Sequence, residues 1–420
     1  MAKVPSERAI VSLIGAVQFV NVLEFMMVMP LGPYLGPALG IPLSHLGLLG
    51  SSYAVAAAIS GALGAVFLDR FDRRSALAVA LLGLVLGTAA GGLATGMGTM
   101  VAARVLAGLF GGPATSLSIS ALTDVVPAER RGRALGAVMG AFSVASVFGV
   151  PTGLYLAEHG GWRMPFLGVA AMGLVIGALS VVLLPPLRAH LQQAQAPGHH
   201  TSSPFEIMRR PESMLALLTC ATVMLTSFSL VPNIAPYLQK NCGMPLSHLP
   251  RLYALGGVFS FVSMRVLGRM VDRFGAPRVA VFGTLVLVVD QSLAFLPGRS
   301  LIPLPVAFVI FMIAQAARAV SLNTTTTRVP HPDERARYQS IQSTVQHLGS
   351  ALGASLGTVL LSEAPDGRLL GMTQLTAVAI GLALLLPPLL ALIHDRLQRR
   401  DRPQALSDEP AHPHPPPHHP

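Results

Sequence analysis

The sequence predicts an all-α membrane protein of twelve transmembrane helices arranged as two pseudo-symmetric six-helix bundles. Three observations carry this expectation. Of the 420 residues, 52% are hydrophobic and 11% charged, and the mean hydropathy is +0.60, so most of the surface requires lipid as its solvent. Apolar stretches able to cross a hydrocarbon core of about 30 Å, which takes about 20 residues, recur along the whole chain. Finally, Asp69-Arg70-Phe71-Asp72-Arg73-Arg74 after the second stretch is repeated as Gly268-Arg269-Met270-Val271-Asp272-Arg273-Phe274-Gly275 after the eighth. Pro127-Ala128-Glu129-Arg130 after the fourth stretch is likewise matched by Pro332-Asp333-Glu334-Arg335 after the tenth, so the halves read as a parallel internal repeat.

In chain order, the expected spans are 10–33, 46–68, 75–95, 99–123, 134–156, 165–185, 213–238, 252–271, 278–296, 303–327, 338–361 and 371–393. They divide the chain into a first bundle at 1–187, a polar linker at 188–212, a second bundle at 213–395 and a Pro/His-rich tail at 396–420 expected to be disordered. The first span follows Met1 to Arg8 with no small-residue cleavage site, which predicts a retained helix. With both termini in the cytoplasm, about 22 of the 29 Lys and Arg residues fall on cytoplasmic segments. The formal charge of +10 therefore reads as topology, and no nucleic-acid partner is expected. Trp162, the only tryptophan, falls in a short external loop and is expected at the headgroup level. Cys220 and Cys242 suggest neither a disulfide framework nor a metal cage. Four tail histidines on a flexible Pro-rich segment supply no fixed metal geometry.

These motifs resemble the major facilitator superfamily over essentially the whole chain. The family signature between helices two and three is met by Asp69, Arg70, Arg73 and Arg74, with Ala65 and Asp72 where glycines are usual. The second copy keeps Gly268 and Gly275, with Asp272 and Arg273 between them. The resemblance implies that these residues brace the cytoplasmic helix ends and set the balance of inward and outward states, with Asp124 as the charge partner of Arg73. Arg104-Val105-Leu106-Ala107-Gly108 is similar to an Arg-x-x-x-Gly motif whose arginine the family ties to proton transfer. Gly149-Val150-Pro151-Thr152-Gly153 looks like the antiporter motif of the twelve-helix drug and sugar efflux group, and Met29-Pro30-Leu31-Gly32-Pro33 places the chain nearest its arabinose-efflux-permease-like branch. Implied with this are a bacterial inner-membrane location, a small-molecule substrate, protons as coupling ions, a functional monomer and no cofactor.

Several residues stand out on their own chemistry. Glu24 lies mid-span, where an ionised carboxylate facing lipid costs at least about 2.5 to 3.5 kcal/mol, so it should face a polar chamber or pair with an arginine from another helix. Gln18 and Asn21 share its arc, and together they suit a proton or cation site. Arg104 sits near enough to its helix end for its long stem to snorkel to the headgroups. Arg318 lies deeper, beside Gln315, Ser321 and Asn323. Asp290 reads as structural or near enough to its helix end for water. Thr219, Thr222, Thr226, Ser229 and Asn233 form one polar stripe, and Gln339, Gln342, Gln346 and Ser350 another, serving either to line a cavity or to pack. Of these, Gln342 and Gln346 are the stronger candidates for the site.

Together these features predict secondary active transport by alternating access, with proton-coupled efflux of a drug, sugar or related metabolite as the leading form. Proton-coupled uptake shares every feature except the motif at Gly149 to Gly153, and a membrane solute sensor that does not transport is a third reading. An enzyme is disfavoured because the spans gather no nucleophile with a base and carry no His-Glu-x-x-His pattern. Nucleotide-driven transport is disfavoured because no phosphate-binding Gly-x-x-x-x-Gly-Lys-Ser/Thr loop exists.

Overall fold

The computed structural model describes residues 6–187, 204–296, 300–330 and 334–407. Most of the expected linker, the Pro/His end of the tail, and Pro332 and Asp333 lie outside the described residues. Ten helices among the described residues are long and apolar enough to cross a membrane. Two further helical regions occupy the expected fifth and eleventh spans, and each has a physical reason for lacking that signature.

The fifth region is assembled from pieces: Ala128–Met139, Ala141–Val144, a π-helical turn at Ala145–Gly149, and Val150–Gly160. Pro151 has no N–H to give to the preceding turn, and a π bulge absorbs that missing bond without ending the helix. The eleventh, Arg335–Leu360, is one unbroken helix. Its first half carries Arg335, Arg337, Gln339, Gln342, Gln346 and His347, which lower its hydropathy.

Proline and glycine decide where the other helices stop. The first helix, Glu7–Met27, breaks before Pro30, and a short helix, Gly32–Leu39, completes the expected first span. The last span is interrupted between Met372–Ala383 and Leu386–Ser407, just before Pro387 and Pro388. Its second piece runs to Ser407, so the beginning of the expected disordered tail is helical. Arg400 explains part of this extension, donating to the carbonyls of Val329 at 2.9 Å and Arg328 at 3.0 Å.

The packing repeats with a shift of six helices. The first span, Glu7–Met27, packs on the fourth, Met97–Val125, on the fifth and on the sixth, Arg163–Leu183. The second, Leu46–Phe67, packs on the fourth, and the third, Arg73–Gly92, on the fourth and sixth. In the other half the seventh, Pro211–Lys240, packs on the tenth, Leu304–Thr326, and on the eleventh and twelfth. The eighth, Leu249–Phe274, packs on the tenth, and the ninth, Ala276–Phe295, on the tenth and twelfth. Between halves the second meets the eleventh and the eighth meets the fifth, which are the same contact under the exchange of halves. Two matched six-helix bundles follow.

Glycines let the bundles touch closely. A Cβ on Gly47 would lie 2.3 Å from the Ala354 carbonyl oxygen, and one on Gly257 would lie 2.8 Å from the Val147 backbone. On the face opposite the termini, the Tyr34 hydroxyl donates to the Leu246 carbonyl at 3.4 Å and the Leu43 N–H to Glu363 at 2.9 Å. On the face carrying the termini, Arg130 pairs with Glu7 at 2.9 Å, and Arg210 donates to Glu334 at 2.8 Å, in corresponding corners of the two bundles.

Candidate functional site

Glu24 and Arg104 form a buried ion pair between the first and fourth spans. The side chains are 0% and 1% exposed, so neither reaches lipid or headgroups. Arg104 lies in the second turn of its helix, yet its stem runs inward and does not snorkel. Its Nε donates to the Leu49 carbonyl at 3.3 Å, and its guanidinium carbon sits 4.6 Å from the centroid of the Tyr53 ring. The desolvation cost of the two charges is offset by their mutual contact and, for Arg104, also by the Leu49 carbonyl and the Tyr53 ring. The compensation is incomplete: Glu24 Oε2 and Arg104 Nη2 have no hydrogen-bond partner among the described residues.

Asn21, one turn before Glu24, holds the same three helices together. Its amide donates to the Gly111 carbonyl at 3.0 Å and to Thr115 Oγ1 at 2.6 Å, while its oxygen accepts from the Tyr53 hydroxyl at 3.0 Å. Gln18 is buried a further turn away with its oxygen unpartnered. Gly149 and Gly153 face the same span: a Cβ on Gly149 would meet Leu23 at 2.6 Å, and one on Gly153 would lie 4.0 Å from Met27 Cβ. The motif containing Pro151 is therefore a packing surface against the helix segment that bears Glu24.

The structure does not bring Arg318 to this pair. Arg318 is fully buried in the second bundle, donates to Gln315 Oε1 at 2.8 Å, and has Nε and Nη2 without partners. No carboxylate lies within 4.0 Å of it among the described residues. Gln342 is buried with its oxygen unpartnered, and Gln346 is half-buried beside it, both next to the Cys220 thiol. Asp290 is 2% exposed, lines a small void with Leu238, Phe295 and Phe308, and has both oxygens unpartnered among the described residues, so of its two readings the one near water does not hold.

The polar stripe of the seventh span packs. Thr219 donates to its own helix at Leu215 (2.7 Å), Thr226 at Thr222 (2.7 Å) and Asn233 at Ser229 (3.0 Å). Glycines of the eleventh span lie against it, with a Cβ on Gly353 only 2.4 Å from the Leu225 carbonyl oxygen. Thr219→Val should therefore cost less than about 1 kcal/mol and leave transport unchanged, as read by thermal unfolding and flux of the purified protein.

At the faces, Arg73 pairs with Asp124 and also donates to the Ser120 carbonyl at 3.3 Å. Asp69 falls in a single 3-10 turn, Leu68–Arg70, and Arg70 is exposed. In the second copy Asp272 and Arg273 are exposed, with Arg273 over the Phe274 ring at 5.3 Å, and Gly268 has open space around it. Gly275 takes φ +86° and ψ 149°, an extended positive-φ conformation that favours glycine, at the point where the helix ends. Trp162 is packed, 8% exposed: Arg163 lies 4.3 Å over its ring and Phe166 meets it edge-on at 6.1 Å.

Sequence reasoning passed over the rings beside the ion pair. Phe25 stacks on Tyr53 at 5.2 Å and touches Phe228 of the other bundle at 5.2 Å, while His347 stands edge-on to Phe25 at 5.8 Å. A signal for them exists. Pro33-Tyr34-Leu35, Gly40 and Pro42-Leu43-Ser44-His45-Leu46 recur, 203 positions on, as Pro236-Tyr237-Leu238, Gly243 and Pro245-Leu246-Ser247-His248-Leu249. Both copies fold alike, with Gly40 at φ +64° and Gly243 at φ +68° before matching 3-10 turns, Leu43–His45 and Leu246–His248. The same shift carries Phe25 onto Phe228.

Comparison with known proteins agrees with this architecture. The chain is 29% identical over 362 residues to the chloramphenicol resistance protein of Streptomyces lividans, covering 85% of this chain and 90% of that protein. It is 25% identical over 364 residues to the purine ribonucleoside efflux pump NepI of Shigella sonnei, covering 86% and 88%. Among solved structures, a bacterial homolog of the human lysosomal transporter Spinster, inward-facing and occupied, superposes with a TM-score of 0.69 at 18% identity, covering 93% of this chain and 97% of that one. The family model for the Major Facilitator Superfamily matches residues 14–354, and the chain belongs to that superfamily of membrane transporters.

Proposed function

We propose that the protein exports a small organic solute in exchange for protons, with Glu24 as the proton carrier and Arg104 as the group that reports its charge. The buried Glu24–Arg104 pair carries this reading. Glu24 Oε2 is the unpartnered oxygen, so a proton can add there before the contact through Oε1 is lost. Once neutral, Glu24 no longer holds Arg104 by charge, and the guanidinium is left to be satisfied by Leu49, Tyr53 and an incoming solute. Both oxygens are sealed from water in this state, so proton exchange requires the bundles to part. That requirement couples protonation to alternating access.

Direction is supported by the Gly149–Pro151–Gly153 surface against the first span and by an efflux pump among the relatives. The solute is assigned to the drug, sugar or metabolite class. The positive-inside pattern and bacterial relatives support a multi-pass protein of the bacterial plasma membrane, with both termini cytoplasmic and the monomer as the working unit. The matched packing supports functional halves at about residues 1–187 and 213–395. Arg318, Gln342 and Gln346 are assigned to the second-bundle side of the chamber. Asp69, Arg70, Arg73, Asp124, Gly268, Asp272 and Arg273 are assigned to the cytoplasmic gate.

Flux of radiolabelled chloramphenicol or adenosine in proteoliposomes with an imposed pH gradient tests the coupling. Glu24→Gln should lower pH-driven flux at least about 100-fold, comparable to other losses of a positioned proton-transfer group, while exchange without a gradient persists. Undiminished pH-driven flux in that variant would sink the assignment.

A further inference from the structure

Phe25 and Phe228 are equivalent positions of the two halves, yet their rings touch each other at 5.2 Å. Two equivalent residues in mutual contact flank the axis that relates the bundles. A solute moving along that axis would meet this contact. Tyr53 and His347 complete the cluster, the His347 ring lying 5.8 Å from Phe25 and 6.2 Å from Tyr53. His347 is partly buried at the edge of this cluster. Nearby charge is balanced, because the Glu24 carboxylate is held by Arg104.

We propose that these four rings clamp the planar aromatic group of an uncharged solute, which enters between Phe25 and Phe228 as they separate. The inference rests on the transport reading above and narrows its substrate class. Parting the two tilted rings forfeits their mutual contact; a planar aromatic solute replaces it with two ring contacts, whereas an aliphatic polyol replaces it with weaker ones. The ring nitrogens of His347 supply a hydrogen-bonding group at the cluster's edge. A lipophilic cation gains no counter-charge here, because Arg104 already occupies the carboxylate.

Equilibrium binding to the purified full-length protein in detergent tests this with four radiolabelled probes: chloramphenicol and adenosine, both uncharged and aromatic, with arabinose and tetraphenylphosphonium as the polyol and the cation. At least one of the first two should bind more tightly than both of the others. Phe228→Ala should weaken that binding about tenfold, the scale of one or two ring contacts, whereas Phe228→Tyr should retain it. Equal elution volume and thermal stability of the two variants show that the fold is kept. Tighter binding of arabinose or tetraphenylphosphonium, no binding of any probe, or an unchanged affinity in Phe228→Ala would overturn the proposal. Its failure is separable from that of the antiport reading: binding lost in Phe228→Ala together with a gradient-insensitive flux keeps the clamp and rejects proton coupling. Proton-driven flux of arabinose, indifferent to Phe228, does the reverse.

Discussion

Arg104→Ala should destabilise the folded protein by about 3 to 5 kcal/mol, because it strands the Glu24 carboxylate in a buried site with no counter-charge. The loss has three parts. The carboxylate loses its charge partner, the Leu49 carbonyl loses a donor, and the Tyr53 ring loses the guanidinium covering it. The first dominates, since an exposed ring or a singly unpaired carbonyl costs less than an isolated buried charge. The double variant Glu24→Gln with Arg104→Ala removes both charges and should recover most of the stability. Thermal unfolding of the four forms, wild type, two singles and the double, gives the coupling energy directly. A double variant as unstable as Arg104→Ala would show that packing around the arginine, and not the ion pair, sets the cost. The same four forms separate folding from function: the double variant should be stable and inert to a pH gradient.

Much of this arrangement is legible in the sequence, and what is not has a common cause. Glu24 and Arg104 each stand out because a charge inside an apolar run must find a polar environment. That they find each other is not legible, because they lie 80 residues apart on helices whose relative rotation depends on packing. The even span count is legible from punctuation by proline, glycine and charge. The fifth and eleventh spans do not read as continuous apolar runs, because one is interrupted beside Pro151 and the other carries charged and amide side chains along its first half. The polar stripe of the seventh span was ambiguous for a local reason: a Thr side chain at helical spacing looks the same whether it lines water or bonds to its own backbone four residues earlier. The central rings are invisible to composition, since Phe25 and Phe228 are two of 17 phenylalanines. Only the 203-residue shift singles them out, and its clearest part lies in the loops, where two left-handed glycines and two Pro-Leu-Ser-His-Leu turns have been kept in register.

Gly108→Ala should cost about 1 to 3 kcal/mol, the usual penalty of overpacking a close contact, and should reduce transport further than that loss explains. Gly108 is the glycine of the Arg-x-x-x-Gly segment, one turn beyond Arg104. A Cβ there would stand 2.3 Å from the Tyr53 carbonyl oxygen and 3.0 Å from Ala56 Cβ. Gly112, one turn further, is equally tight, its Cβ position lying 2.2 Å from the Ala57 carbonyl oxygen. This spacing of small residues lets the fourth span lie directly on the backbone of the second. Backbone cannot rotate away as a side chain does, so the second span must shift, and Tyr53 shifts with it. Tyr53 covers Arg104, donates to Asn21 and stacks on Phe25, so the displacement reaches the ion pair and the rings together. Gly136→Ala is the control: nothing lies within 4 Å of its Cβ position, and losing a mid-helix glycine should stabilise by about 0.5 to 1 kcal/mol. Thermal unfolding and pH-driven flux on both variants decide the matter. If Gly108→Ala matched Gly136→Ala in both measurements, the second and fourth spans would have to be further apart than their glycines allow.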